Sequence, residues 1–289
     1  MLGLGLRSSQ PPGLSVSASG PTVVTEIIGE GFDSIVANSA ISPNPYSSAT
    51  GVQWAGLPTG WDQGHAAVFG TSDPVVADDI TSVGAWTSRD RAGTLINVYP
   101  LGWHFEDDKT PSSGTGPDGA AISRTNNALD NSSTSKFLFT EASGTASGMN
   151  SSGDRMFLLR TPGKNYSTEM SDSTNILRFS AQIHGHGQNI GDFEVWVDNA
   201  DRSNTSKAVK LFTFSSDSFS QESVVHDYDS ITFDISTIDH PTLGTIDVRS
   251  QNDTFYFYIV HMPPVLPNPV GSFWSADMAI DNVYIEEIG

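Results

Sequence analysis

The sequence predicts an all-β fold, a two-sheet antiparallel jelly-roll sandwich, on three observations. Apolar and polar residues alternate over short stretches, so that Leu177, Phe179, Ala181 and Ile183 share one strand face while Arg178, Ser180 and Gln182 share the other. Such stretches recur between turn signals at intervals of roughly 8–12 residues, the spacing of sandwich strands. No stretch of about ten residues or more carries the 3.6-residue apolar period of a helix. Strands that each bury one face need a cover, and a second sheet supplies it most economically.

In chain order, residues 1–21 are rich in Gly, Ser and Pro and read as an extended or flexible N-terminal arm that has no core of its own. The apolar run before Arg7 is too short for the core of a secretion signal, so the expectation is a protein made without Sec-type export. Residues 22–83 read as a β-rich N-terminal extension, with apolar patches at Val23–Val24, Ile27–Ile28 and 66–69 between Pro, Gly and Asn turns. Residues 84–289 form the main domain. There Phe193, Val195 and Val197 fall on one face, as do Ile231, Phe233 and Ile235. The run Phe255–Val260 is apolar on both faces and is expected at the centre of a sheet. Segments 147–153 and 198–205 supply the Gly, Asn, Asp and Ser of turns.

The 289 residues include 33 acidic and 14 basic side chains, a net charge of −19. A binder of nucleic acid neutralises phosphates with clustered Lys and Arg, so this balance argues against that class and against anionic membranes. No stretch approaches the length of a membrane span. Cysteine is absent, which points to folding in a reducing compartment. Asn-x-Ser/Thr sequons stand at Asn131, Asn150, Asn165, Asn204 and Asn252, a number that a chain rich in Asn, Ser and Thr produces by chance.

Four segments occur in a telling order: Thr110 to Asp118 ending in Thr-Gly-Pro-Asp, Phe137 to Ser143 with its aromatic-x-Glu-Ala run, Ile183 to Val197 opening on His-Gly-His-Gly, and Asp277 to Glu286 with Asp-Met-Ala-Ile-Asp-Asn. In this order they resemble the MAM domain, an extracellular adhesion module, over residues 84–289. The resemblance implies a jelly roll. It also implies a cation site of the calcium type, with Glu141, Asp277 and Asp281 as the matching acids; the family's acid after Thr-Gly-Pro falls at Ala120 or Ala121, with Asp118 nearby. The family's disulfides have no counterpart here.

Enzyme signatures are missing: no Cys nucleophile, no Gly-x-Ser-x-Gly elbow, no His-Glu-x-x-His and no phosphate loop. His184 and His186 lie two apart, but the glycines between and after them favour a packing role at a strand end over a metal site. Trp54 and Trp61, set among Gly and Pro, are candidates for stacking on sugar rings, and Trp86 and Trp103 are further aromatics of this region. The resulting expectation is a non-enzymatic virion structural or adhesion protein, capsid-decorating or tail-associated. Its partners would be other virion proteins, further copies of itself and host-surface glycans. The alternative is an extracellular carbohydrate-binding module of a bacterium, and a glycan hydrolase stands behind both.

Overall fold

The computed structural model describes residues 21–37, 53–67, 88–89, 95–96, 103–106, 120–122, 129–130, 135–140, 155–185, 191–199, 209–215, 228–240, 243–262 and 278–289. The first strands are β1 (Val23–Glu30), β2 (Val36–Ala37), β3 (Gln53–Gly56), β4 (Asp62–Ala67), β5 (Ser88–Arg89), β6 (Leu95–Ile96) and β7 (His104–Glu106). Then come β8 (Ala120–Ile122), β9 (Leu129–Asp130), β10 (Phe137–Thr140), β11 (Arg155–Arg160), a helical turn α1 (Tyr166–Glu169), β12 (Ile176–Gly185) and β13 (Asp192–Asn199). The last are β14 (Val209–Phe214), β15 (Asp229–Asp234), β16 (Thr237–His240), β17 (Gly244–Asp247), β18 (Phe255–Met262) and β19 (Met278–Ile288).

They build the expected antiparallel sandwich. One sheet of eight strands has the order β15-β12-β19-β10-β7-β3-β2, and β1 joins it by pairing with β19. The other has five strands, β14-β13-β18-β11-β4. From β11 onward the chain steps back and forth: β11 lies in the smaller sheet, β12 in the larger, β13 and β14 in the smaller, β15 in the larger, then β18 and β19 one in each. Strands of segment 22–83 take part in both sheets, β1 beside β19 and β4 beside β11. Residues 1–20 lie outside the described part of the chain.

The two inner faces share one apolar core. Phe179 and Ile183 of β12 and Ile280 and Ile285 of β19 meet Phe193 and Val195 of β13 and Phe257 and Ile259 of β18, all fully buried. Full burial of such side chains contributes about 1.5–3 kcal/mol each. The run 255–260 is central, as its two apolar faces predict, with β13 on one side and β11 on the other. Stacking of Phe212 on Phe233, 4.6 Å between centroids and 7° apart in plane, joins edge strands β14 and β15 across the sandwich. A polar link crosses the interior: Thr140 Oγ1 lies 2.6 Å from His261 Nδ1, both residues being fully buried.

The loop 171–175 is fastened from within. Glu287 accepts from Ser171 N–H (2.8 Å), Ser171 Oγ (2.6 Å), Asp172 N–H (2.9 Å) and Asn175 Nδ2 (2.7 Å). Burial opposes the charge, but these donors outweigh it and hold the carboxyl down at about 2.

Candidate functional site

The outer face of the eight-stranded sheet is built by β15, β12, β19 and β1. Period-2 alternation sends Leu177, Phe179, Ala181 and Ile183 into the core and leaves Arg178, Ser180, Gln182 and His184 outward. On β19 the alternation is interrupted once. The register against β12 slips between Ser180 and Gln182, and Asn282 sits at φ 50°, a left-handed conformation that Asn tolerates better than most residues. This bulge puts one extra residue into β19, so that Ile280 and Val283 both reach the core while Asp281 and Asn282 occupy the outer side together. The bulge also divides the far edge of β19: β10 pairs with Met278–Ile280, and β1 pairs with residues 283–288.

Cross-strand register arranges the outer residues in rows. The first runs Asp234, Arg178, Glu286, Glu26; the second Thr232, Ser180, Tyr284, Gly29; the third Ser230, Gln182 and the Asp281–Asn282 bulge. In the first row Arg178 Nη2 donates to Glu286 Oε2 at 2.9 Å. In the third, Asn282 Nδ2 donates to Gln182 Oε1 at 2.6 Å, and the Tyr284 hydroxyl lies 3.5 Å from Asn282 Oδ1. The second row is low, because Thr232, Ser180 and Gly29 carry small side chains or none. Gly29 has a use there: the Glu26 carboxylate lies where a β-carbon on residue 29 would stand. By side-chain size this row is a shallow trough across β15, β12 and β19, about 10 Å at normal strand spacing, and the Glu26 carboxylate closes it at β1. Tyr284 stands in it, with Arg178, paired to the fully buried Glu286 carboxylate, on one side and the Gln182–Asn282 amide pair on the other. Arg178, Ser180, Gln182, Asn282 and Tyr284 are all half-buried, and Glu26, Gly29, Ser230 and Thr232 are exposed.

Beyond the bulge the same face is covered. His184, Ala279 and Phe139 follow one another in register and are buried, and Phe137 joins them in a second, smaller apolar cluster with Tyr228 packed against it. The His184 ring meets Tyr228 edge-on at 5.7 Å. Burial, and next the negative charge of Asp281, push the Tyr228 phenol well above its ordinary range.

Of the expected cation ligands, Asp281 is buried at the bulge, where its Oδ1 accepts the Asn282 N–H at 2.7 Å. Glu141, Asp277 and Asp118 lie outside the described residues. Among the described residues no three His, Cys, Asp or Glu side chains converge as a metal site. Trp61 is a core residue, its ring edge-on to Phe32 at 5.3 Å, and Trp103 is fully buried. Trp54 is placed only by backbone register, opposite His104 on β7. His184 serves packing, as read from the sequence, while His186 lies outside the described residues. Two sequon asparagines are occupied with each other. Asn165 caps α1 through Oδ1, and its Nδ2 donates to Asn252 Oδ1 at 2.8 Å.

Sequence reasoning placed half of the trough, Arg178, Ser180 and Gln182, on a wet face. It passed over Tyr284 and Asn282, whose outward placement depends on the bulge. Two adjacent polar residues, Asp281 and Asn282, interrupting the alternation of an apolar strand were the available signal.

No protein-family model matches the chain, and no curated protein does. Solved structures that resemble it include a cleaved adhesin domain of Lys-gingipain from Porphyromonas gingivalis, 10% identical over 89% of this chain and 96% of that one, with a TM-score of 0.34. A xylan-binding CBM22 domain from Paenibacillus barcinonensis is 12% identical over 55% of this chain and 82% of that one, with a TM-score of 0.31. A CBM22 and xylanase two-module structure from Clostridium thermocellum, complexed with xylohexaose, is 11% identical over 54% of this chain and 22% of that one, with a TM-score of 0.29. At such identities and scores these likenesses fix neither a family nor a ligand for this chain.

Proposed function

We propose that the protein is a non-catalytic glycan-binding module that holds a saccharide chain in the trough on the outer face of its larger sheet. One observation carries this reading: half-buried Tyr284 stands in a row of small side chains between the Arg178 guanidinium and the Gln182–Asn282 amide pair. Sugars present an apolar ring face edged by hydroxyls, which calls for an aromatic surface bordered by planar groups that both donate and accept. The half-buried guanidinium and amides, held by neighbours, lose little side-chain entropy on binding. The test is a glycan array followed by calorimetry, with Tyr284→Ala as the control. Binding should fall by about tenfold or more in the variant, and a null result on a broad array would overturn the reading.

A second reading is assembly on a virion surface, the function expected from the sequence. It is favoured by an apolar row at the end of the same face, where Ile176 and Val23 flank Ile288 at 46% and 40% exposed, with Val24 beside them at 49%. Recovery of the chain in purified particles would support this setting. A monomer at all concentrations that is absent from particles would sink it. Calcium, implied by the MAM resemblance through Glu141, Asp277 and Asp281, has its own test: a ligand of the folded state raises the melting temperature in excess calcium relative to chelator, and unchanged melting rules the site out.

A further inference from the structure

Resting on the glycan reading, we infer that the trough selects an uncharged polysaccharide over an acidic one, with Glu26 and Asn282 as the residues that set the choice. Two exposed carboxylates, those of Glu26 and Asp234, stand on the outer rows with two buried ones, those of Asp281 and Glu286, beside them, against the guanidinium of Arg178. That guanidinium already donates to Glu286 at 2.9 Å. Arg249, the nearby cation that acts on Asp234, is engaged by Asp247 through Nε at 2.9 Å and Nη2 at 2.9 Å. A carboxylate or sulfate on the ligand would therefore enter a negative field with its positive groups committed, in a chain whose net charge is −19.

The carboxylate at the end of the trough is there by local design. Because residue 29 is glycine, the Glu26 side chain folds over its Cα and ends in the row of Tyr284, three residues along β1 from its own. An acceptor in that place suits a ligand hydroxyl and repels a ligand anion. At the other wall the bulge turns the Asn282 amide outward, where it bridges Gln182 and the Tyr284 hydroxyl. A neutral amide both donates and accepts, which again matches hydroxyls.

Matched polymers separate the ideas: dextran against dextran sulfate, and hydroxyethyl cellulose against carboxymethyl cellulose, read by affinity electrophoresis and calorimetry on the full chain. The neutral member of at least one pair is expected to bind, and its acidic partner to bind about tenfold more weakly at low salt. The gap should shrink as salt rises from about 20 mM to about 500 mM and screens the field. Glu26→Gln should narrow the gap by about two- to fivefold at low salt. Asn282→Gly keeps a residue that accepts the left-handed backbone yet deletes the amide, so neutral binding should fall about tenfold while the melting temperature holds. Equal or tighter binding of the acidic member overturns the inference and leaves the glycan reading standing. Wild-type binding by Asn282→Gly removes Asn282 from the choice. If no member of any pair binds, and the broad array is also blank, the glycan reading falls and takes the inference with it.

Discussion

The two halves of the larger sheet's outer face share strands β12 and β19 and differ in almost everything else. On one side of the Asp281–Asn282 bulge the outward residues are Arg178, Ser180, Gln182 and Tyr284, half-buried and polar or amphipathic. On the other they are His184 and Ala279, joined by Phe137 and Phe139 of β10, all buried. The strand period is the same in both, so alternation assigns a residue to a face without deciding whether that face meets solvent. β10 shows the covered case fully, since all four of its residues are buried although neighbours point opposite ways. The open half presents polar groups to solvent; the covered half is a second core.

This contrast is broken most directly by truncating one aromatic in each half. Phe139→Ala should cost about 3–5 kcal/mol in chemical denaturation, the range for a fully buried phenylalanine, and leave glycan affinity in the folded fraction unchanged. Tyr284→Ala should show the reverse pattern, below about 1 kcal/mol in stability with binding lost. Equal destabilisation by the two would mean that both halves are core and would remove the distinction.

A smaller effect sharpens the contrast along β19, where adjacent carboxylates have opposite duties. Glu286 is buried in the first outer row and paired with Arg178, while Glu287 fastens the loop 171–175. Glu287→Gln should lower stability at neutral pH by about 2 kcal/mol, because an amide replaces a charge that accepts four hydrogen bonds. The folded carboxyl titrates at about 2, below the ordinary value of 4.5, so its contribution is complete above pH 5 and is lost as pH falls from about 5 to about 2. Denaturation at a series of pH values should show a shallower acid limb in the variant.

The boundary itself is tested next. Asn282→Ala should be about 1 kcal/mol less stable than Asn282→Gly, since alanine at φ 50° crowds its own backbone and glycine does not. Smallest in stability is the pair of exposed apolar changes Val23→Thr and Ile176→Thr, within about 0.5 kcal/mol by thermal melting. If the virion reading holds, the same pair should reduce self-association in sedimentation.

Much of the fold was legible because its determinants are local. The alternation of Leu177, Phe179, Ala181 and Ile183 names a core face on its own, and the doubly apolar run 255–260 names a central strand. Trp61 was not legible in the same way. Its neighbours Gly and Pro suggested a loop aromatic, yet its ring completes the core against Phe32, a contact made by residues far from it in sequence. The trough was half legible: one wall came from alternation in β12, while Tyr284 and Asn282 depended on where β19 bulges.

The sequence by itself determined the class of fold, the inward sets of β12, β13 and β15, the central place of 255–260, and an acidic surface, since each follows from side-chain period and charge within a few residues. Only the tertiary structure decided which part of an outward face stays open. That outcome rests on the register between strands about a hundred residues apart, such as Gln182 with Asn282, and on one left-handed residue that turns two neighbours to the same side. Such pairings are set by the summed packing of both sheets, which no short stretch of sequence contains.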